Sequence, residues 1–404
     1  MTTGENTASA PGNAPTRRRI TTESPLRIGI VGTGGIARVH AEGVQRLEGR
    51  ARIVAACDID AGRVREYQRA WDVPIGTTTL DEMLEAADLD IVHLCSPPGL
   101  HKEQAIAALR RGIHVLSEKP PALSLAELDE IAEAEREGGA WFATVSQHRF
   151  GARALWLRDR VADGALGRPL TAVCNTLWYR PDSYFDVPWR GKWDVEGGGP
   201  TMGHGIHQMD TMLSILGPWS QVVAVAARQA RPVITEDVSH AIVTLQNGAV
   251  ASVVNSLLSP RETSYLRFDF EYATVELEHL YGYSDDSWTI TPAPGHEDAV
   301  ADAWAQGPAG FGSGHSAQFA AIIAAIERDE PLPVRLGDAR NTLELIAGIY
   351  ASAFTGARIH AGEIDATSAF YRSMAGSGAP WAEEAGRSAS ARVDRDGTAE
   401  GAVA

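Results

Sequence analysis

From residue 26 to about 147, short continuous apolar runs alternate with stretches where apolar residues recur every three or four positions. The runs cover 26–31, 52–57, 91–95, 113–116 and 141–146, and each reads as a strand buried on both faces. Between them the spacing predicts a helix through Val39, Val44 and Leu47, then helices over 61–71, 80–87, 100–111 and 124–137. Strand–helix alternation of this kind predicts a parallel sheet covered on both sides, and right-handed crossovers make it doubly wound. Past residue 147 the period changes. A helix over 153–163 precedes a strand over 170–177, an aromatic loop and a helix ending at Leu216. Alternating strands then follow over 222–227, 239–246, 249–257, 265–272, 273–279 and 288–291, with Asn247-Gly248 as a hairpin turn. The expectation is a doubly wound domain at 26–147. An α+β domain with a large, mostly antiparallel open sheet follows at 148–374, finished by helices over 314–328 and 338–355.

The turn after the first run is Gly32-Thr33-Gly34-Gly35-Ile36-Ala37. Placed between a strand and a helix, it has the G-x-G-x-x-[GA] form of a dinucleotide-binding turn. The first glycine permits the turn, the second lets backbone approach a pyrophosphate, and a small third residue lets helix and strand pack. Bare amides at the helix N-terminus then hold phosphate. Asp58 ends the second strand about 20 residues further on, where the motif places a carboxylate for the ribose 2′-OH. With Asp60 close by and Arg63 the nearest base, the pattern favours NAD over NADP.

Composition narrows the partners. A net charge of −16 over 404 residues argues against nucleic acid and anionic membrane surfaces. Cys57, Cys95 and Cys174 show no C-x-x-C spacing, and the first two fall in strand patterns, so buried reduced thiols and a cytoplasmic setting are expected. Residues 1–25 and 375–404 read as disordered tails. Arg17-Arg18-Arg19 is not followed by an apolar segment, so export is not expected, and no run is long enough to span a membrane.

Ligands of doubly wound sheets bind where strand order reverses. Counted along the predicted strands, that point lies between the first and the fourth, 113–116, whose end carries Glu118-Lys119-Pro120. Lys119 is thereby placed beside the nicotinamide half of NAD, able to hydrogen-bond a substrate hydroxyl. A second constellation is Gly197-Gly198-Gly199 followed by His204, Gly205, His207 and Asp210. His207 and Asp210 are one helical turn apart, so the carboxylate is a candidate to orient the imidazole; a satisfied structural histidine is the alternative. His204-x-x-His207-x-x-Asp210 has a metal-like spacing, but Asp210 turns off the shared helical face and no further ligands accompany it, so no metal is expected. The loop carrying Tyr179, Arg180, Tyr184, Phe185, Trp189, Arg190 and Trp193 suits sugar faces and hydroxyls, or a packed interface.

With these motifs in this order, the chain resembles the Gfo/Idh/MocA family, the glucose–fructose oxidoreductase and inositol dehydrogenase group. The match spans about residues 26–365. It rests on Gly32–Ala37, Asp58, Ser96-Pro97-Pro98 with His101, Glu118-Lys119-Pro120, and Gly205-x-His207-x-x-Asp210. The resemblance implies an enzyme moving hydride between a nicotinamide and a carbinol or carbonyl carbon of a sugar, polyol or cyclic alcohol. It implies Lys119 and His207 as the catalytic pair. Gly32, Thr33, Gly34, Gly35, Ile36, Asp58, Ser96, Pro97, His101, Glu118 and Lys119 would surround the cofactor. Lys119, Tyr179, Arg180, Trp189, Arg190, Trp193, His204, His207 and Asp210 would meet the substrate. It also implies a homo-oligomer through the second-domain sheet. Many family members carry Asp four residues before the histidine, where this chain has Gly203. That departure leaves open NAD-assisted glycoside cleavage, and a non-catalytic NAD-binding sensor is the rival from another class.

Overall fold

The computed structural model describes residues 23–187 and 189–381. The first domain runs β1 (Leu26–Val31), α1 (Gly35–Gln45), β2 (Ala51–Cys57), α2 (Ala61–Trp71), β3 (Ile75–Thr77), α3 (Leu80–Ala86), β4 (Ile91–Leu94), α4 (His101–Leu109), β5 (His114–Ser117), α5 (Leu125–Gly138) and β6 (Phe142–Thr144). All six strands are parallel, in the order β3-β2-β1-β4-β5-β6. Burial on both faces explains why these runs lack polar alternation.

Strand β3 escapes a sequence reading, because three residues with Gly76 in the middle carry almost no strand pattern. Its omission displaces the count by one. Strand order reverses between β1 and β4, whose end leads into Cys95, Ser96 and Pro97. Lys119, after β5, stands one strand further out than expected.

The second domain runs α6 (Ala152–Ala162), β7 (Pro169–Tyr179), α7 (Trp193–Glu196), α8 (Pro200–Gly203), α9 (Ile206–Leu216), β8 (Trp219–Ala227), β9 (Val238–Leu245), β10 (Val250–Ser256), β11 (Leu258–Phe270), β12 (Ala273–His279), β13 (Trp288–Pro292), α10 (Glu297–Gln306), α11 (His315–Glu327), α12 (Leu336–Thr355) and β14 (Ile359–His360). Its open sheet has the order β13-β12-β11-β7-β10-β9-β8-β14, antiparallel except for β7–β10. Asn247-Gly248 makes the β9–β10 turn, with Gly248 at φ 91°. Residues alternate across the pleat. Cys174, Val243, Val253, Leu266 and Phe268 point into a core closed by α9 and α12.

Two segments sit differently from the linear partition. Helix α11 packs on α1, where Phe319, Ile322 and Ile323 share a core with Ile28, Ala41 and Val44. A Cβ on Gly43 would lie 2.8 Å from the Phe319 ring, so only glycine allows this approach. Each large side chain buried there contributes on the order of 1.5–3 kcal/mol, which draws the chain back to the first domain. Residues 375–381, expected within a tail, are docked: Trp381 donates to the Ile234 carbonyl at 2.9 Å and meets Phe354 edge-on. The rest of the expected tails, 1–22 and 382–404, lies outside the described residues. All three cysteines are buried and free. Among the described residues no helix is long and apolar enough to cross a membrane.

Candidate active site

The glycine turn fits a dinucleotide. Gly32 has φ 85°, and a Cβ there would lie 2.8 Å from the Cys95 carbonyl group and the Ser96 nitrogen. Turn and β4 end are thus held in direct contact. A Cβ on Gly34 or Gly35 would meet nothing within 4 Å, so the cradle in front of α1 is free of protein atoms. The helix has no side-chain cap and no acidic residue in its first turn, leaving N–H groups and the positive dipole end for a pyrophosphate. Ile36 turns inward and packs on the β-sheet core. Asp58 is partly used by the protein itself, accepting from Thr33 N at 2.8 Å, Thr33 Oγ1 at 3.1 Å and Asp60 N at 3.0 Å. It therefore shapes the turn as well as presenting charge to a ribose.

Two expected cofactor residues work from behind. His101 is fully buried, with its ring nitrogens 2.9 Å from the Ser96 and Pro120 carbonyls. It ties the β4 loop to the Lys119 loop rather than facing a ligand. Ser96 Oγ donates to Gln104 at 2.6 Å, and Pro97 precedes the turn into α4. Glu118 also faces inward, accepting from His40 Nε2 at 3.0 Å, His315 Nε2 at 3.1 Å and Lys119 N at 3.1 Å. His93 Nδ1 lies 3.0 Å from His40 Nδ1. The consistent assignment has His93 donating to His40, and His40 and His315 donating to the carboxylate. Burial alone would raise the Glu118 pKa, but the bonds from His315 and His40 outweigh it and hold the group ionised, well below its ordinary value. His40, Glu118 and His315 have metal-like spacing; these hydrogen bonds account for them as a network joining α1, β5 and α11.

Lys119 emerges from this buried support. Its Nζ donates to the Gly203 carbonyl at 2.9 Å, and burial lowers its pKa against the pull of Glu118. A Cβ on Gly203 would meet nothing within 4 Å, so the space beside it is open. The segment leading there is anchored by buried Glu236, which accepts from Gly199 N and Thr201 N at 3.0 Å and Tyr350 Oη at 2.8 Å. His207, in the first turn of α9, lines one small cavity of about 10 Å³ with Lys119, Thr144, Ser146, His148 and Asp210. Burial, then the Lys119 charge, push its pKa well below the ordinary value, and its Nε2 is buried with no protein partner.

Asp210 does not orient His207. Its carboxylate takes Arg149 Nε at 2.7 Å and Nη2 at 2.6 Å, with Thr342 Oγ1 at 3.2 Å. An arginine fork satisfies both oxygens, which the three-residue spacing on one helix does not reveal. His204, His207 and Asp210 consequently form no ligand set. His204 packs edge-on against Trp178 at 5.1 Å, and its Nδ1 is buried without a partner.

The aromatic loop divides. Trp178 faces inward, buried near His204 and Tyr281. Tyr179, the next residue along β7, therefore points to the opposite face, under Arg231. Trp193 is packing, meeting Tyr350 and Phe354 edge-on and donating to the Ile234 carbonyl at 3.0 Å. Arg190 lies 3.7 Å over Tyr184 and 4.7 Å over half-exposed Trp189, while Arg180 covers Trp178 and pairs with Glu262 at 3.0 Å. Sequence reasoning misses His148, His279, Tyr281 and Gln208. His148 follows β6, and the carboxyl end of a parallel strand is the signal that was available. Nothing along β12 marks His279 or Tyr281 just beyond it, and Gln208 is one more polar position on α9.

The N-terminal family profile described as "Oxidoreductase family, NAD-binding Rossmann fold" matches residues 26–145, and the GFO/IDH/MocA C-terminal domain matches 155–296. The chain belongs to the GFO/IDH/MocA family. It is an NAD-binding oxidoreductase. It is 28% identical to the D-glucoside 3-dehydrogenase of Escherichia coli K12, over 84% of this chain and 98% of that one. It is 31% identical to the 1,5-anhydro-D-fructose reductase of Ensifer adhaerens, over 56% and 67%. The WlbA dehydrogenase of Bordetella pertussis, solved with NADH and UDP-GlcNAcA, superposes with a TM-score of 0.74 at 27% identity, covering 83% of this chain and 97% of that one.

Proposed function

We propose that the protein oxidises a ring hydroxyl of a pyranoside, at position 3 by likeness to the Escherichia coli relative, with NAD as acceptor. One observation carries the reading: Lys119 and His207 converge on one cavity at the carboxyl edge of the Rossmann sheet, with His207 Nε2 buried and unpaired. Bound at the glycine turn, NAD supplies the hydride acceptor. His207, neutral because it is buried, takes the hydroxyl proton. Lys119 donates a hydrogen bond to the same oxygen, and the Gly203 carbonyl holds the ammonium in place. Methyl β-D-glucopyranoside with NAD is expected to give NADH absorbance and a ketosugar in matching amounts. A panel of glycosides and polyols that yields no NADH refutes the reading.

The preference for NAD over NADP is assigned to Asp58 and Asp60. A 2′-phosphate there faces two carboxylates, and Arg63 is already 3.8 Å from Asp60. Asp58→Ala is expected to raise the NADP-to-NAD ratio of kcat/KM by about tenfold or more. An unchanged ratio rejects the assignment. The uncovered sheet face is assigned to a second copy of the chain. It exposes Val223, Val225, Ile242 and Val250 side by side on β8–β10, with Val225 at 68% and Ile242 at 53%. Light scattering is expected to find a dimer or larger species, reduced to monomer by Val225→Lys with Ile242→Lys.

A further inference from the structure

We propose that His315 is a positioning residue: from the first turn of α11 it holds Glu118 as a fixed anion behind Lys119, and that anion keeps the lysine in its ammonium form. The inference builds on the role given to Lys119 above, but it is tested without turnover.

A buried carboxylate is unfavourable unless donors satisfy it. Glu118 takes three. His40 Nε2 of α1 at 3.0 Å and His315 Nε2 of α11 at 3.1 Å both reach Oε1, and the Lys119 amide reaches Oε2 at 3.1 Å. His40 is set from behind: His93, on β4, donates to its Nδ1 and leaves the Nε2 hydrogen for the carboxylate. His315 is set by its helix. Three residues on, Gln318 donates to the Thr144 carbonyl at 2.8 Å and accepts from Ser146 N at 3.0 Å, which clamps the first turn of α11 to the end of β6. His315 lies outside both matched profile segments. Apolar side chains of similar volume in such a place commonly fold as well. What they do not supply is charge.

That charge acts on the neighbouring residue. Burial favours the neutral amine of Lys119, and Arg190 adds to this; Glu118 first, then Glu196, oppose them. The Gly203 carbonyl that holds Nζ carries no charge. His148, His204 and His207, which also face the lysine, are kept neutral by burial. Cys95, His101, His207 and Tyr281 lie within the field of Glu118, yet among the described residues only His40, His315 and Lys119 bond to its carboxylate. The two imidazoles therefore decide whether Lys119 has an anion behind it.

Infrared titration of the full chain as wild type, His315→Leu and His315→Gln reads the first step. Leucine removes a donor, so burial drives Glu118 toward its protonated form, whereas glutamine places an amide N–H near the lost Nε2. His315→Leu is expected to gain a carbonyl stretch of a buried carboxylic acid between about pH 5 and 7. The added band should be missing from wild type, largely missing from His315→Gln, and abolished when Glu118→Gln is combined with His315→Leu. His315→Asn, too short to reach Oε1, repeats the measurement with a polar side chain should leucine prevent folding. The second step is read on Lys119 itself, because the chain has three lysines, Lys102, Lys119 and Lys192. Trace acetylation followed by peptide mass spectrometry compares Lys119 with exposed Lys192. Glu118→Gln is expected to raise the Lys119-to-Lys192 ratio about 3- to 30-fold at neutral pH, since a weaker ammonium offers more free amine. His315→Leu should raise it only where its added band appears. No added band without the His315 donor overturns the proposal, and so does an unchanged acetylation ratio in Glu118→Gln. A protein that gives both responses yet forms no NADH from any glycoside refutes the dehydrogenase reading and leaves the positioning role standing.

Discussion

Lys119→Ala is expected to lower kcat by about two to four orders of magnitude while leaving NADH binding within a few-fold of wild type. The two functions separate because they sit on different strands. The pyrophosphate cradle is built by β1 and α1, whereas Lys119 follows β5, two positions along the sheet. Steady-state kinetics on the glycoside and NADH fluorescence titration make the comparison. Lys119→Arg should rescue little. The lysine fits between the buried support of Glu118 and the Gly203 carbonyl, and a guanidinium fork delivers its charge elsewhere. A Lys119→Ala enzyme with near-normal kcat would remove the lysine from the chemistry and leave His207 as the sole candidate.

The support beneath Lys119 was not legible in the sequence, although every motif above it was. The glycine turn, Asp58 and the Glu118-Lys119-Pro120 run announce themselves because they are local: a strand, a few residues and a helix suffice to recognise them. His40, His93 and His315 belong to α1, β4 and α11, and only the return of α11 to the first domain makes them neighbours of one carboxylate. The same holds at the substrate end. Tyr179 and Trp193 look like sugar contacts because aromatic and basic residues cluster around them, yet strand alternation turns the first away and Tyr350 claims the second. Composition of a loop does not reveal which face each side chain takes. Strand β3 shows the cost of one short element: its absence from the count moves the expected switch point from Ser96 to Lys119. Lys119 thus stands one strand beyond the reversal rather than at it.

Asp210→Ala is expected to destabilise the protein by about 3–5 kcal/mol, making it the more damaging of the helix α9 substitutions for folding. Arg149 and Asp210 are each only 8% exposed and paired through two bonds. Removing the carboxylate strands a guanidinium whose remaining partner, Asp338, is 40% exposed and 3.2 Å away. Arg149 precedes α6, Asp210 sits on α9, and Thr342, which also bonds Asp210, belongs to α12; the loss thus loosens three elements around the cavity at once. Urea unfolding of Asp210→Ala and Asp210→Asn against wild type measures it, with Asn expected to lose less because one polar contact to Arg149 survives. The result also decides between two roles for this residue. An anchor lowers the unfolding midpoint and affects turnover mainly through the folded fraction. An orienting partner of His207 would instead lower kcat and shift its pH profile in a protein of undiminished stability. The bonds to Arg149 occupy both oxygens, and the first outcome is the one they require.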